Sequence, residues 1–363
     1  MSKPFFSRYL TRQNLRRIYR VGLVAVAIAI ALIWQQAQTP NEVLLTNKNA
    51  ETINSQREPI QPIPTQVSYS RDKYALGERL FNEPRLSKNN QISCASCHKI
   101  AVGGADGKRY SPGIDNALTK VNTPTVFNVV YNFRFNWDGE HDNLFDHTDS
   151  LMQNPTVMGS QWEDIEQKIA NIDEYQRAFE AIYDSRISKE NVIDAIITYE
   201  SALITPNAAF DKYLRGETSA LSAAEKAGYD LFKTYGCVSC HQGVNIGGNM
   251  FQQFGVIGDY FADRGGIRKA DLGRFNVTGQ DADRHVFRVP SLRNVAITPP
   301  YLHDGSAQTL TEAIEVMVKY QLGRPIPDTD IELMAEFLET LTGEMPTAEI
   351  LAGETLTNVN AAE

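Results

Sequence analysis

The sequence predicts a mostly α-helical chain whose globular part consists of two related domains. Three observations lead to this prediction. Apolar residues recur three and four positions apart in several stretches of residues 70–345, which is the spacing of an amphipathic helix. Alternating runs that would predict strands are few. A short pattern also occurs twice, because Gly77 and Phe81 precede one cysteine pair as Gly228 and Phe232 precede another.

The N-terminus has the charge pattern of an export segment. Residues 1–34 contain six basic side chains and no acid, and residues 21–34 form an uninterrupted apolar run. Such a run is short for a membrane span and fits the apolar region of a signal peptide, but no clear small-x-small cleavage site follows it. We therefore favour an uncleaved inner-membrane anchor at 1–35, with a cleaved signal peptide as the alternative. Both predict a periplasmic body.

The charge of the body restricts its partners. The chain of 363 residues has a net charge of −9, and removing the six positive charges of the N-terminus leaves −15. An acidic body argues against binding to nucleic acid and suits a basic protein partner through electrostatic steering. The length and the 42% hydrophobic content are sufficient for two buried cores.

The elements follow in order after the anchor. Residues 36–69 are rich in Gln, Asn, Thr and Pro, and we expect an extended linker there. The segment "SRDKYALGERLF" is the first predicted helix. The stretches "WEDIEQKIANIDEYQRAFEAIY" and "SKENVIDAIITYESAL" also have helical periodicity, and Ser188 is placed to cap the second.

Two further helices are predicted near the C-terminus. "TLTEAIEVMVKYQLG" opens with a capping box of Thr309 and Glu312, and "DTDIELMAEFLETLTG" is expected to end at Gly343. Between the helices lie long connections at 100–136 and 243–300. Connections of that length usually wrap around something or carry function.

The cysteines carry the chemistry. All four belong to the segments "CASCH" and "CVSCH". This spacing lets two thiols form thioethers with one haem while the adjacent histidine binds its iron, which predicts two covalently bound c-type haems. The residues concerned are Cys94, Cys97, His98, Cys237, Cys240 and His241. A four-cysteine zinc site would leave both histidines unexplained, and a thioredoxin-like pair lacks its βαβ context.

The second haem needs a sixth iron ligand, and Met317 on a predicted amphipathic helix is a candidate. The alternative is ordinary core packing, which is the usual role of such a methionine. Coordination by histidine and methionine raises the reduction potential of a haem and suits electron transfer.

Several motifs in a fixed order carry a family resemblance over residues 70–345. They are "CASCHKIAVGGADG", "NTPTVFNVVYNFRFNWDG", "CVSCHQG", "FRVPSLRNV", "TPPYLHDGSAQTLTEAI" and "VMVKYQLG". On these the chain resembles bacterial diheme cytochrome c peroxidases and the related MauG-type diheme oxidases. The resemblance implies two mostly helical cytochrome c-like haem domains, a reaction-site domain at 70–215 and an electron-transfer domain at 216–345, followed by a tail at 346–363.

The resemblance also implies roles for single residues. Met317 matches the axial methionine of the second haem, and Trp137 matches a tryptophan that relays electrons between the haems. Asn122, Thr298 and Pro300 match the positions that bind a calcium ion. The implied electron donor is a cytochrome c or a cupredoxin, the implied oxidant is hydrogen peroxide, and family members are often homodimers.

Two positions depart from the family pattern. Ile114 stands where some peroxidases have a histidine that binds the first haem iron at rest, so we expect that site to be open. Val157 stands where the family has a catalytic glutamate, and valine cannot move a proton. Four residues are replacement candidates, although each is more often a solvated surface residue: Glu140, His141, His147 and Glu163.

Three functional hypotheses follow. The leading one is a membrane-anchored periplasmic peroxidase that reduces hydrogen peroxide. The second is a MauG-like oxidase that draws electrons from a protein substrate. Met317 counts against it, because the MauG-type enzymes that this chain resembles have a tyrosine at that position. The third is a non-enzymatic diheme electron carrier or sensor, for which Val157 is the main argument.

Overall fold

The structure is a computed structural model that describes residues 58–346. The predicted anchor at 1–35, most of the predicted linker and the tail beyond residue 346 lie outside the described residues. Within 58–346, no helix combines the length and the apolar character needed to cross a membrane.

The described chain is mostly helical, as predicted. Its α-helices are α1 Arg71–Phe81, α2 Cys94–Cys97, α3 Leu144–Gln153, α4 Trp162–Ala170, α5 Asp173–Tyr183, α6 Lys189–Ala202, α7 Ala209–Leu214, α8 Ala223–Thr234, α9 Tyr260–Arg264, α10 Phe275–Thr278, α11 Leu310–Met317 and α12 Asp328–Glu339. Short 3₁₀ turns are Pro84–Leu86, Ile100–Val102, Ile114–Asn116, Val129–Tyr131, Thr218–Ala220, Cys237–Ser239, Lys269–Leu272, Asp281–Asp283 and Val295–Ile297, and Val318–Leu322 is a π-helical turn.

The two described strands, β1 Phe251–Gln253 and β2 Val286–Arg288, form an antiparallel pair. Phe251 lies opposite Arg288 and Gln253 lies opposite Val286. The pair lies inside the connection 243–300, which otherwise has only short helical turns. Both long connections thus have little regular structure, as the sequence predicts.

Two helix pairs form the two main cores, and each has a glycine at the point of closest approach. Helix α1 packs on α6, where a Cβ placed on Gly77 would lie 2.0 Å from the carbonyl oxygen of Ala195. Helix α8 packs on α12, where a Cβ on Gly228 would lie 2.0 Å from the carbonyl oxygen of Leu333. The sequence repeat therefore corresponds to the same type of helix–helix contact in two places.

Each pair buries its own apolar cluster. The first cluster is formed by buried residues between Tyr74 and Leu203, and the second by Ile60 together with buried residues between Phe210 and Leu341. In both clusters the repeated phenylalanine, Phe81 or Phe232, is buried. The exact domain boundaries at 70–215 and 216–345 stay a prediction.

Three local expectations need correction. The stretch 162–183 forms two helices instead of one, because α4 ends at Ala170 and α5 begins at Asp173. Helix α12 ends at Glu339, before Gly343, where a side chain would collide with the carbonyl oxygen of Thr205 at 1.9 Å. Gly343 therefore permits close packing and does not cap the helix.

The described end of the predicted linker is also packed and not extended from the body. Ile60 and Ile63 are fully buried. The Gly243 N–H donates to the carbonyl of Pro59 at 2.9 Å, and the buried Arg293 guanidinium donates to the carbonyl of Gln61 at 2.9 Å. Isolated isoleucines between prolines give no periodicity, so the sequence could not predict this contact.

Candidate functional site

The first Cys-x-x-Cys-His segment is a single helical turn. Helix α2 holds both thiols, and the N–H of His98 donates to the carbonyl of Cys94 at 2.9 Å. The His98 ring is oriented by its Nδ1, which lies 3.1 Å from the carbonyl oxygen of Gly104. Since a carbonyl only accepts, the proton is on Nδ1, and Nε2 keeps the lone pair that an iron ion needs.

The second segment has the same design. Gly236 takes a positive φ of 84° immediately before the turn Cys237–Ser239, a conformation that glycine adopts without strain. The His241 Nδ1 lies 3.3 Å from the carbonyl oxygen of Ile246. Burial lowers the pKa of His241 to about 4, so the ring is neutral and its Nε2 is available to a metal.

The thiols are free. None of the four cysteines forms a disulfide. Burial raises the pKa of Cys94 and Cys97, and it raises that of Cys237 to about 11. Zinc binds thiolates, and within residues 58–346 no three Cys, His, Asp or Glu side chains converge on a metal-sized site. The zinc alternative is therefore not supported.

The burial of the residues around His98 indicates an interior hollow. Burial is the largest cause of the raised pKa of Cys94 and of the lowered pKa of His98 and His147. All three side chains nevertheless keep an accessible edge. Groups that are strongly desolvated and still accessible face an interior space, which is what a covalently held haem requires.

A buried cation supports the same conclusion. Arg288 on β2 is only 4% exposed, and no carboxylate pairs with it among the described residues. Its Nη1 donates to Asn132 Oδ1 and its Nε to the carbonyl of Asn136, both at 3.3 Å, and burial lowers its pKa to about 10. Because a buried cation is costly without an anion, Arg288 fits the propionate groups of a haem. The residues present therefore fit the predicted cofactor.

Trp137 and Met317 border one aromatic cluster. Both pack against a core of Phe254, Tyr260, Phe261, Phe287 and Tyr320. The Trp137 Nε1 donates to the carbonyl of Asn122 at 2.8 Å, which fixes the indole ring. Met317 is the last residue of α11 and directly precedes the π-helical turn, a distortion that is frequent at functional sites.

The two positions that depart from the family pattern are neighbours. The Ile114 N–H donates to the carbonyl of Val157 at 3.0 Å, and the Ile114 side chain is 4% exposed. Val157 packs partly buried against the first apolar cluster. Neither side chain can transfer a proton, so these two positions supply no replacement for the glutamate of the family.

The four replacement candidates are placed differently. Glu163 is exposed in the first turn of α4. Glu140 is 52% exposed, and its Oε2 lies 3.5 Å from His141 Nε2. The rings of His141 and His147 are 5.8 Å apart. Burial, followed by the nearby His141, His98 and Arg288, lowers the pKa of His147 to about 3.

The predicted calcium positions lie on adjacent segments. The Asn122 N–H donates to the carbonyl of His303 at 2.8 Å, and its Nδ2 donates to the carbonyl of Lys108. Within the described chain, no hydrogen bond ends on Asn122 Oδ1 or on the carbonyl oxygens of Thr298 and Pro300. Three such oxygens suit a hard cation.

Sequence reasoning missed two acids, one partly buried and one fully buried. Burial raises the pKa of Glu200 to about 8, and Glu200 is close enough to Cys94 to raise the pKa of that thiol. Asp271 Oδ1 lies 2.7 Å from the Nε2 of His303, and both side chains are buried. The "LHDG" run contains His303, but nothing in the sequence identified Asp271 as its partner.

Comparison with known proteins gives consistent matches. Residues 71–219 match the model of the di-haem cytochrome c peroxidase family. The chain is 42% identical over 287 residues to the cytochrome c peroxidase Ccp of Escherichia coli strain K12, covering 79% of this chain and 61% of that protein. It is 40% identical to the cytochrome c551 peroxidase of Nitrosomonas europaea, covering 80% of this chain and 85% of that protein.

A solved structure agrees with these matches. The crystal structure of a MauG-like protein associated with microbial copper homeostasis superposes with a TM-score of 0.68 at 27% identity. The match covers 84% of this chain and 97% of that one. The fold is thus that of the diheme peroxidase and MauG proteins.

Proposed function

Because the chain belongs to the di-haem cytochrome c peroxidase family, we propose that it reduces hydrogen peroxide to water with electrons from a small redox protein. The observation that carries the proposal is the duplicated Cys-x-x-Cys-His segment, with both imidazoles oriented alike by backbone carbonyls. The chain spans 61% of the length of its E. coli relative, so the activity of that protein is transferred here only as a proposal.

Six residues hold the cofactors in this proposal. The thiols of Cys94 and Cys97, and those of Cys237 and Cys240, form the thioether bonds, and the Nε2 atoms of His98 and His241 bind iron. The redox chemistry is supplied by the two haems when they are bound.

Other residues position and separate the two centres. Arg288 neutralises haem carboxylates, and Met317 binds the second iron and raises its potential. Trp137, held by its bond to Asn122, lies along the electron path. Asn122, Thr298 and Pro300 bind a calcium ion that would tie the connections 100–136 and 243–300 together.

The partner and the location follow from charge. The body carries −15 once the basic N-terminus is set aside, so a basic cytochrome c or a cupredoxin with a basic face is the proposed donor. We place the body in the periplasm, held to the inner membrane by residues 1–35. Association as a homodimer stays a prediction.

The proposal is tested on the purified, haem-loaded protein. Covalent haem, measured as the alkaline pyridine complex, is expected at two per chain. Replacing Cys94 and Cys97 by Ala should remove one haem and abolish peroxide reduction. Replacing Cys237 and Cys240 by Ala should remove the other haem and abolish electron uptake from the donor. Full activity with only one haem would refute the proposal.

A further inference from the structure

His147 is a buried imidazole with an unsatisfied nitrogen. It lies on α3, and its ring stacks on the buried Phe135 with the centroids 5.6 Å apart. Its Nδ1 is closed off from solvent and has no hydrogen-bond partner among the described residues. The remaining ring edge is accessible, and the proximity of His98 places it at the hollow described above. Burial lowers its pKa, so the ring is neutral and one of its nitrogens has a free lone pair.

His147 is not built like an iron ligand. His98 and His241 each have Nδ1 within 3.3 Å of a backbone carbonyl, the orientation expected of metal-binding histidines. His147 has no such contact. A neutral imidazole with a free nitrogen in a desolvated space is suited instead to moving protons.

A second imidazole connects His147 with the surface. The rings of His141 and His147 are 5.8 Å apart, and His141 Nε2 is also buried without a hydrogen-bond partner. The carboxylate of Glu140, which is 52% exposed, lies 3.5 Å from that Nε2. Two neighbouring rings, each with one unsatisfied nitrogen, thus lie next to an exposed carboxylate.

We propose that Glu140, His141 and His147 form a proton relay into the hollow beside His98, and that His147 transfers the proton of hydrogen peroxide. This inference rests on the proposed function. His147 takes the proton from one peroxide oxygen and delivers it to the other, so the O–O bond breaks and one oxygen leaves as water. Two electrons from the donor and two protons from solvent through the relay then convert the second oxygen to water.

Cyanide binding to the oxidised, haem-loaded protein tests the relay without turnover. Hydrogen cyanide is protonated at neutral pH and binds iron as the anion, so a nearby base must take its proton. We expect His147→Gln to slow cyanide association about 100-fold or more, the usual effect of losing a general base, with both haem spectra unchanged. His141→Gln and Glu140→Gln should slow it less, and Glu163→Gln, another exposed acid, should leave it unchanged.

Three results would overturn the inference. If His147→Gln changes the first haem from low spin to high spin, His147 is an iron ligand. If the wild-type protein binds no cyanide, the first haem has no open position for peroxide. If His147→Gln binds cyanide as fast as wild type, it moves no proton. If His147→Gln loads no haem, the His141→Gln and Glu140→Gln variants decide the question. Cyanide association as fast as in the wild-type protein in both of these variants would exclude the relay.

A rescue variant links the relay to peroxide. In the His147→Gln background, Val157→Glu returns a carboxylate to the position where the family has its glutamate, and peroxide reduction should recover at least tenfold. If this double variant does not recover peroxide reduction although it binds cyanide as fast as the wild-type protein, the relay is contradicted. If the relay variants slow cyanide association as expected but the wild-type protein reduces no peroxide, the proposed function is refuted and the relay is still supported.

Discussion

Replacing Gly77 by Ala should destabilise the protein, although helix propensity alone predicts the opposite. A Cβ at this position would lie 2.0 Å from the carbonyl oxygen of Ala195 and 2.9 Å from the Cβ of Tyr199. Because real Cβ atoms essentially never come within 3.0 Å of such atoms, α1 and α6 must separate by about 1 Å. The obstructing atom belongs to a helix backbone and cannot rotate away.

The expected size follows from two opposing terms. Overpacking a core destabilises by about 1–3 kcal/mol, and the upper end applies to a rigid backbone contact. Alanine in place of helical glycine returns about 0.5–1 kcal/mol. The net loss is then about 2 kcal/mol, or roughly 4–8 °C in the midpoint of thermal unfolding of the haem-loaded protein followed by circular dichroism at 222 nm.

The repeat supplies a second test and α1 supplies a control. Gly228→Ala meets Leu333 at the same 2.0 Å and should have a similar effect. Ala75→Gly, on the exposed face of α1, changes propensity alone and should destabilise by only about 0.5–1 kcal/mol. A Gly77→Ala variant as stable as wild type, or more stable, would refute the packing argument.

Three further predictions concern Met317, Arg293 and Glu200. Met317→Ala should lower the reduction potential of the second haem, measured by spectroelectrochemistry, and leave that of the first haem unchanged. If the potential of the second haem is the same as in the wild-type protein, Met317 is not its ligand. Arg293→Met leaves the carboxylate of Asp211, now 2.7 Å from the guanidinium, buried without its cation; we expect a loss of about 3–5 kcal/mol in denaturant unfolding, and an unchanged midpoint would contradict it. Burial raises the pKa of Glu200 from 4.5 to about 8, so the folded state keeps a proton that the unfolded state loses, and stability falls as pH rises through that range. Glu200→Gln should therefore match wild type at pH values near 4.5 and melt higher above pH 8, and parallel melting curves would refute the assignment.

Local patterns predicted the fold better than the site. The capping box of Thr309 and Glu312, the cap at Ser188 and the helical repeat all depend on neighbours within a few positions, and the structure confirms each of them. The end of α12 was misplaced because Gly343 has two possible roles in the sequence, and only the contact with Thr205 distinguishes them.

The site residues depend on distant contacts. The bond from Arg288 to Asn132 joins residues 156 positions apart, so the sequence could not show that this cation is buried without a carboxylate. His147 looked like a solvated histidine beside several acids, and only the stacked Phe135 and the buried Nδ1 distinguish it from Glu163. The haem-attachment segments, by contrast, are contiguous, and the sequence contains them completely.

The most direct test of the account is steady-state peroxide reduction by the haem-loaded protein with a reduced cytochrome c. It should be run on the protein as isolated and again after one-electron reduction of the second haem. Since Ile114 cannot bind iron and packs against Val157, we predict turnover in both states, with two donor molecules oxidised for each peroxide consumed. No peroxide consumption in either state, with both haems attached and the second reducible, would contradict the peroxidase assignment.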